Sequence, residues 1–344
     1  MGELRAAVIG VGVMGRNHAR VYSEIPDVEL MAVADLDIAR AESIARQYRV
    51  SAYTDYRVML QEVQPTVVSV CVPTQAHCQV VLDALAAGCH VLVEKPIAAT
   101  PEEGRIMIKQ AARLGRVLAV GHIERFNPAV IELKRRLVDG EMGRVFQIQA
   151  RRLGPFPARV RDVGVVVDLA PHDLDIMRYL TGSEVKRLYA ETEQEIHTAH
   201  EDAFSGLVRF EDGVLGVLNI NWLTPTKIRE ITVTGQRGMF VADLLTQDLY
   251  FYENDASQGL DWNSMSVLRG VSEGQMIRLK LERREPLRVE LEALVAAARG
   301  EPARLVTGQD GLIALELALG LVQASREGRV IEWSQMATQY LSGG

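Results

Sequence analysis

The sequence predicts an α/β fold: an N-terminal domain with a parallel, doubly wound sheet, then an α+β domain with a large, mostly antiparallel open sheet. Three observations predict it. Short apolar runs alternate with helical periodicity over about the first 120 residues, the pattern of a parallel sheet covered by helices. A G-x-G-x-x-G turn separates the first of those runs from the first helical segment. Beyond Gly121 alternating strands with glycine-containing turns take over, and two helices with apolar stripes close the chain.

The first strand runs through Ala6-Ala-Val-Ile9 into Gly10, Gly12 and Gly15, after which the pattern turns helical. Gly10 permits a tight turn, Gly12 lets a pyrophosphate approach the backbone, and Gly15 lets the helix pack against its strand. The backbone from Gly10 through Val13 and Met14 to Gly15 is therefore the expected phosphate cradle. A second strand, Glu29 to Ala34, ends at Asp35, twenty residues beyond Gly15, where an acid would accept hydrogen bonds from a ribose diol. Asp35 and Asp37 would repel a 2′-phosphate, so the expected cofactor is NAD, with NADP less favoured and Arg40 the cation able to offset that repulsion.

Asp37 to Tyr48 reads as a helix, and Val67 to Val72 as a buried strand stopping at Pro73. Thr74 and His77 follow at the carboxyl edge of the sheet, as cofactor contacts or, for Thr74, equally as a cap of the helix carrying Gln79 to Ala87. The next strand, Val91-Leu-Val93, delivers Glu94-Lys95-Pro96, and Pro96 cannot continue the ladder. Lys95 thus stands at a strand's carboxyl end, where open α/β sheets bind ligands. A helix from Pro101 to Leu114 and the strand Val117 to Val120 complete this half. The expected domains are 1–122 and 123–344.

In the second domain a helix spans Phe126 to Leu137. Strands follow at Arg144–Arg152, Val185–Glu193, Ala203–Phe210, Val214–Trp222, Arg229–Thr234, Gly238–Asp243 and Leu249–Tyr252. Glu211-Asp-Gly213 and Gly235-Gln-Arg-Gly238 mark hairpin turns. Helices at Leu287–Ala298 and Gln309–Glu327 end the chain, and 254–275 reads as a mobile loop.

Asp162 to Gly182 breaks the strand pattern. If the helix already includes Asp168, then Asp168 and His172 are four apart on one face, with Asp175 three further along. Pro171 fits better as a first helical residue, in which case Asp168 precedes the helix. Chemically the group suits hydride removal from a secondary alcohol. His172 is the natural base, Asp168 would hold its tautomer, and the Lys95 ammonium would stabilise the developing alkoxide at the junction of the two domains.

The totals bound the alternatives. The chain has 344 residues, 48% hydrophobic and 24% charged, enough for two ordinary cores. A net charge of −7 excludes a general nucleic-acid binder. Cys71, Cys78 and Cys89 lack zinc-type pairing, so no metal is expected and the thiols read as reduced core residues of a cytoplasmic protein. The run from Ala6 to Val13 is too short for an anchor, and no membrane span is expected.

These residues resemble a family, the Gfo/Idh/MocA oxidoreductases, through Gly10-x-Gly12-x-x-Gly15, Asp35, Glu94-Lys95-Pro96, Arg125-Phe-Asn-Pro128 and Asp168-x-x-x-His172. The resemblance implies a Rossmann domain followed by a domain whose open sheet forms homodimer or homotetramer contacts. It implies catalysis by Lys95, Asp168 and His172, with Glu94 and Lys95 also near the cofactor. Pro171 departs from the small residues more usual at its position. Four arginines, Arg151, Arg152, Arg159 and Arg161, precede the catalytic segment, and Arg125 could join them. Guanidinium groups suit the pyrophosphate of a nucleotide sugar, so Arg125, Arg152, Arg159 and Arg161 are the expected substrate contacts together with Lys95, Asp168 and His172. In wording, 121–128 and 151–180 resemble the branch associated with UDP-N-acetylglucosamine 3-dehydrogenase. Oxidation of an inositol or free sugar, and a non-catalytic NAD sensor, are the rival readings.

Overall fold

A computed structural model describes residues 4–157, 163–196, 199–254 and 273–333. The chain forms two compact units, Met1–Phe126 with Arg284–Glu316, and Asn127–Arg283 with Leu317–Gly344.

The first unit alternates strands and helices: β1 (Leu4–Ile9), α1 (Val13–Glu24), β2 (Val28–Ala34), α2 (Ile38–Tyr48), β3 (Ser51–Tyr53), α3 (Tyr56–Val63), β4 (Val67–Val70), α4 (His77–Ala86), β5 (His90–Glu94), α5 (Pro101–Leu114) and β6 (Leu118–Gly121). Its sheet is wholly parallel, in the order β3-β2-β1-β4-β5-β6. Both faces are dry. Ala7, Ile9, Val68, Val70, Val91 and Val93 face one core, while Ala6, Val8, Val67 and Leu92 face another, which is why these strands read as unbroken apolar runs. Strand order reverses between β1 and β4, so the loops after them open a crevice at the carboxyl edge.

The expected boundary between residues 122 and 123 is corrected on one point, because the chain returns to the first unit late. Leu287, Leu291, Leu294 and Val295 of α8 (Pro286–Ala298) are buried in the same core as Leu4, Val8 and Leu92. Helix α9 (Gly308–Glu327) begins in this unit and continues into the second from Leu317. An apolar helical stripe announces burial but not which sheet it covers.

The second unit contains α6 (Pro128–Val138), β7 (Val145–Pro155), α7 (Val165–Thr181), β8 (Val185–Glu193), β9 (Ala203–Phe210), β10 (Leu215–Asn221), β11 (Leu223–Gly235), β12 (Gly238–Asp243), β13 (Asp248–Asn254), β14 (Glu273–Arg278) and β15 (Ile331–Glu332). They form one sheet, β14-β13-β12-β11-β7-β10-β9-β8-β15, antiparallel except where β7 runs parallel to β10. Register sorts its faces. The cross-strand row Ala190, Gly206, Leu218, Ala150, Ile231 and Ala242 is buried, whereas the adjacent row Leu207, Val217, Gln149, Thr232, Val241 and Tyr250 is partly or fully exposed. Of the segment 254–275, expected as a mobile loop, Asn254 ends β13 and 273–275 open β14, while 255–272 lie outside the described residues.

Candidate active site

The glycine turn is dictated by contacts no side chain could share. Gly10 has φ +85°, and a Cβ there would lie 2.7 Å from the Cys71 carbonyl oxygen. A Cβ at Gly15 would lie 1.8 Å from the Gly10 carbonyl oxygen, so only glycine lets α1 close onto the turn. A Cβ at Gly12 would meet nothing within 4 Å, which leaves open space at the start of α1, where no side chain caps the helix. Val13 is exposed and Met14 half-buried beside it. An uncapped positive helix end with an open approach fits a pyrophosphate.

Asp35 faces this turn. Its Oδ2 accepts from the Val11 amide at 2.9 Å and its Oδ1 from the Asp37 amide at 3.0 Å. Arg40 lies 3.6 Å from Asp35 and 3.5 Å from Asp37, so the cation is directed at these two acids. A cavity of about 560 Å³ opens here, lined among others by Gly10, Gly12, Asp35, Leu36, Arg40 and Pro73. Its acid end fits an unphosphorylated ribose.

Thr74 is half-buried and opens a 3-10 turn (Thr74–Ala76), and the cap of α4 comes from backbone only. The capping role considered for Thr74 is not realised. His77 is buried at 1% exposure, with Nε2 2.9 Å from the Val72 carbonyl and Nδ1 3.0 Å from the Pro96 carbonyl. It ties the end of β4 to the turn carrying Lys95, and burial holds its pKa below the ordinary 6.5. Both ring nitrogens thus lie against backbone carbonyls, and the neutral ring donates to one of them.

Lys95 stands half-buried immediately after β5, with a cis peptide bond to Pro96. Beside it, Glu94 Oε1 lies 2.9 Å from His18 Nε2, and a Cβ at Gly121 would come within 3.1 Å of Glu94 Oε2. Burial would raise the Glu94 carboxyl, but the His18 hydrogen bond and the Lys95 charge hold it below the ordinary 4.5. His18 Nδ1 in turn lies 2.9 Å from Ser69 Oγ, which is 2.9 Å from the Tyr22 hydroxyl. Sequence reading missed His18, although the signal was present. His18 is three residues after Gly15 and Tyr22 four further on, the spacing of one helix face, and that face packs on the sheet.

In the second unit α7 runs unbroken from Val165 to Thr181 with Pro171 inside it and Gly164 as N-cap. The expectation that Pro171 begins the helix is corrected. Asp168 lies in the first turn, its amide donating to the Gly164 carbonyl at 3.1 Å, and Asp168 and His172 share one face as half-buried residues. Leu174, Met177 and Leu180 bury the other stripe, and Gly182 at φ +68° ends the helix.

The arginines are mostly committed elsewhere. Arg152, expected at the substrate, is 3% exposed and grips Asp173 of α7 with two parallel bonds, Nε to Oδ2 at 2.7 Å and Nη2 to Oδ1 at 2.8 Å. It anchors the helix bearing His172 to β7. Arg125 pairs with Asp310 at 3.2 Å, and Arg151 with Glu230 at 3.1 Å. A run of like charges in sequence says nothing about the acids that fold back to meet it. Arg159 and Arg161 lie outside the described residues.

The chain is similar to known proteins over nearly its whole length. The family model described as an oxidoreductase family with an NAD-binding Rossmann fold matches residues 4–122, and the GFO/IDH/MocA C-terminal domain matches 130–241. The chain is 30% identical to a D-glucoside 3-dehydrogenase of Escherichia coli over 96% of this chain and 97% of that protein. It is also 30% identical to the UDP-N-acetylglucosamine 3-dehydrogenase of Acidithiobacillus ferrooxidans over 92% and 96%. A solved structure of the latter superposes with a TM-score of 0.80, covering 94% of this chain and 98% of that one. A myo-inositol 2-dehydrogenase of Thermotoga maritima is 26% identical over 97% and 99%. A glycine cradle with an acid at the next strand end, a lysine just after β5 and full-length likeness to named dehydrogenases together place the chain in the Gfo/Idh/MocA family of NAD-binding oxidoreductases.

Proposed function

We propose that this enzyme oxidises the C3 hydroxyl of a sugar, with UDP-N-acetylglucosamine as first candidate and a 3-keto sugar nucleotide as product. The observation that carries the chemistry is that a lysine, Lys95, immediately follows a strand of the very sheet that presents the glycine cradle and Asp35. The choice of C3 is supported by the two relatives at 30% identity, both named as 3-dehydrogenases. NAD, when bound, supplies the nicotinamide that accepts the hydride. His172 takes the hydroxyl proton, Asp168 one helical turn earlier holds the imidazole tautomer, and the Lys95 ammonium stabilises the alkoxide as the hydride departs.

A plain D-glucoside is the second reading. It is favoured by the pairing of Arg125, Arg151 and Arg152 with carboxylates, which draws those guanidinium groups away from a pyrophosphate. Incubation with NAD and a panel of UDP-sugars, D-glucosides and inositols, followed at the NADH absorbance, separates the readings. NADH with UDP-N-acetylglucosamine supports the first, and NADH with glucosides alone supports the second. Turnover of inositol alone, or NAD binding without turnover on any of them, refutes both.

The exposed row of the nine-stranded sheet, including Leu207, Val217 and Tyr250, supports a homodimer or homotetramer through that face, which sedimentation would measure. No helix among the described residues is long and apolar enough to cross a membrane, and Cys71, Cys78 and Cys89 are free thiols. These thiols support the reducing cytoplasm as the site of action.

A further inference from the structure

The first unit buries a chain of polar side chains that the proposed hydride transfer does not use. Tyr22, Ser69 and His18 are fully buried, and each hydrogen bond in the series Tyr22, Ser69, His18, Glu94 is 2.9 Å long. With a neutral imidazole, one proton arrangement satisfies every member. An ionised Glu94 can only accept, so His18 Nε2 must be the donor. A neutral imidazole then leaves Nδ1 to accept from the Ser69 hydroxyl. Ser69 Oγ in turn accepts from Tyr22, a phenol that burial keeps protonated. The series has a direction, from Tyr22 to Glu94, and ends on the residue before Lys95.

We propose that His18 is a positioning residue: through the ordered series Tyr22, Ser69, His18 it aims and holds the Glu94 carboxylate as the fixed counter-charge adjoining Lys95. The inference rests on the catalytic reading of Lys95 given above. Glu94 Oε1 is held by His18, and Oε2 lies against Gly121, where any side chain would crowd it. A carboxylate held by a hydrogen bond on one oxygen and packed against backbone at the other sets the local field at Lys95 without reorganising during turnover. The titratable groups facing Glu94 are His18 on α1, Cys71 after β4, His77 at the start of α4 and Lys95, with Glu290 of α8 acting on Tyr22 and Cys71. His18, Cys71 and Glu94 also place one ligand atom each within 4.8 Å of one another. Both imidazole nitrogens are already engaged, and burial holds the Cys71 thiol well above its ordinary pKa, which favours the hydrogen-bonded series over a metal centre.

The test compares His18→Ala, Glu94→Gln and their combination, with Lys95→Met as reference, in the full-length enzyme with NAD and the sugar it turns over. Without its donor, buried Glu94 takes up a proton more readily. His18→Ala should therefore lower kcat about ten- to a hundredfold, the worth of one hydrogen bond to a charged group. It should also add a limb to the pH profile on which activity falls as pH drops. Glu94→Gln should match the loss without the new limb, the double variant should be no worse than the poorer single one, and NAD affinity should stay unchanged in His18→Ala. A folded His18→Ala with wild-type kcat and pH profile, or losses that add in the double variant, would overturn the inference while an inactive Lys95→Met leaves the catalytic reading intact. Wild-type turnover in Lys95→Met would overturn both. If His18→Ala does not fold, the near-isosteric Glu94→Gln decides alone, and full activity in it refutes the inference.

Discussion

Asp35 spends one carboxylate on two backbone amides, Val11 in the cradle and Asp37 at the start of α2, and draws Arg40 toward itself. Removing it should loosen the ribose end and release Arg40 toward any 2′-phosphate. Asp35→Ser should weaken NAD about tenfold or more, the scale of a lost charge-assisted hydrogen bond, and tighten NADP. Fluorescence titration of the two nucleotides measures the ratio, and an unchanged ratio would contradict the role. His172→Asn should lower kcat by about 10²- to 10⁴-fold, the range of a positioned acid–base group, with thermal unfolding and NAD affinity unchanged. The places of Asp35 beside the cradle and of His172 on the Asp168 face of α7 were legible in sequence because each belongs to a regular spacing. Arg152 was not. Its place depends on Asp173, twenty-one residues away, which meets it only after β7 and α7 have packed.

Helix α7 illustrates how tertiary packing overrides local preference. Pro171 removes one donor from the helix ladder, yet Val165, Val166, Leu169, Leu174, Met177 and Leu180 are all buried, and the Arg152–Asp173 pair adds a second anchor. Breaking that pair leaves a buried charge alone. Arg152→Met should destabilise by about 3–5 kcal/mol in urea titration, whereas adding Asp173→Leu should recover much of the loss. Equal stabilities for the single and double variants would contradict this account. For α1 the constraint is steric. Gly15→Ala would drive a methyl group into the Gly10 carbonyl, so it should abolish NAD binding or folding, as dialysis binding and circular dichroism would show. Strands and helices were readable because their apolar periods are regular. The short β3 and α3, only 3 and 8 residues long, carry too little pattern to stand out.

For the whole molecule, the parallel sheet and the largely antiparallel sheet follow from where apolar runs stop alternating with helices. The late return of 284–316 to the first unit does not, because long-range pairing leaves no local mark. That return brings Asp310 to Arg125. Burial would raise Asp310, but the Arg125 charge and the Thr307 hydrogen bonds hold it below the ordinary 3.8, as Glu94 is held below 4.5. Both therefore contribute stability that is fully present above those values and lost as pH falls through the lower folded ones. Arg125→Leu should move acid unfolding, followed by circular dichroism, to higher pH, and an unmoved midpoint would contradict the pairing. The central claim is that this NAD-binding fold oxidises C3 of a sugar. Its most direct measurement is the mass of the product formed from NAD and UDP-N-acetylglucosamine or a D-glucoside deuterated at C3. The account predicts a 3-keto product lacking the deuterium and an equal amount of deuterated NADH. Deuterium retained at C3 in a keto product, or no product from either sugar, would contradict it.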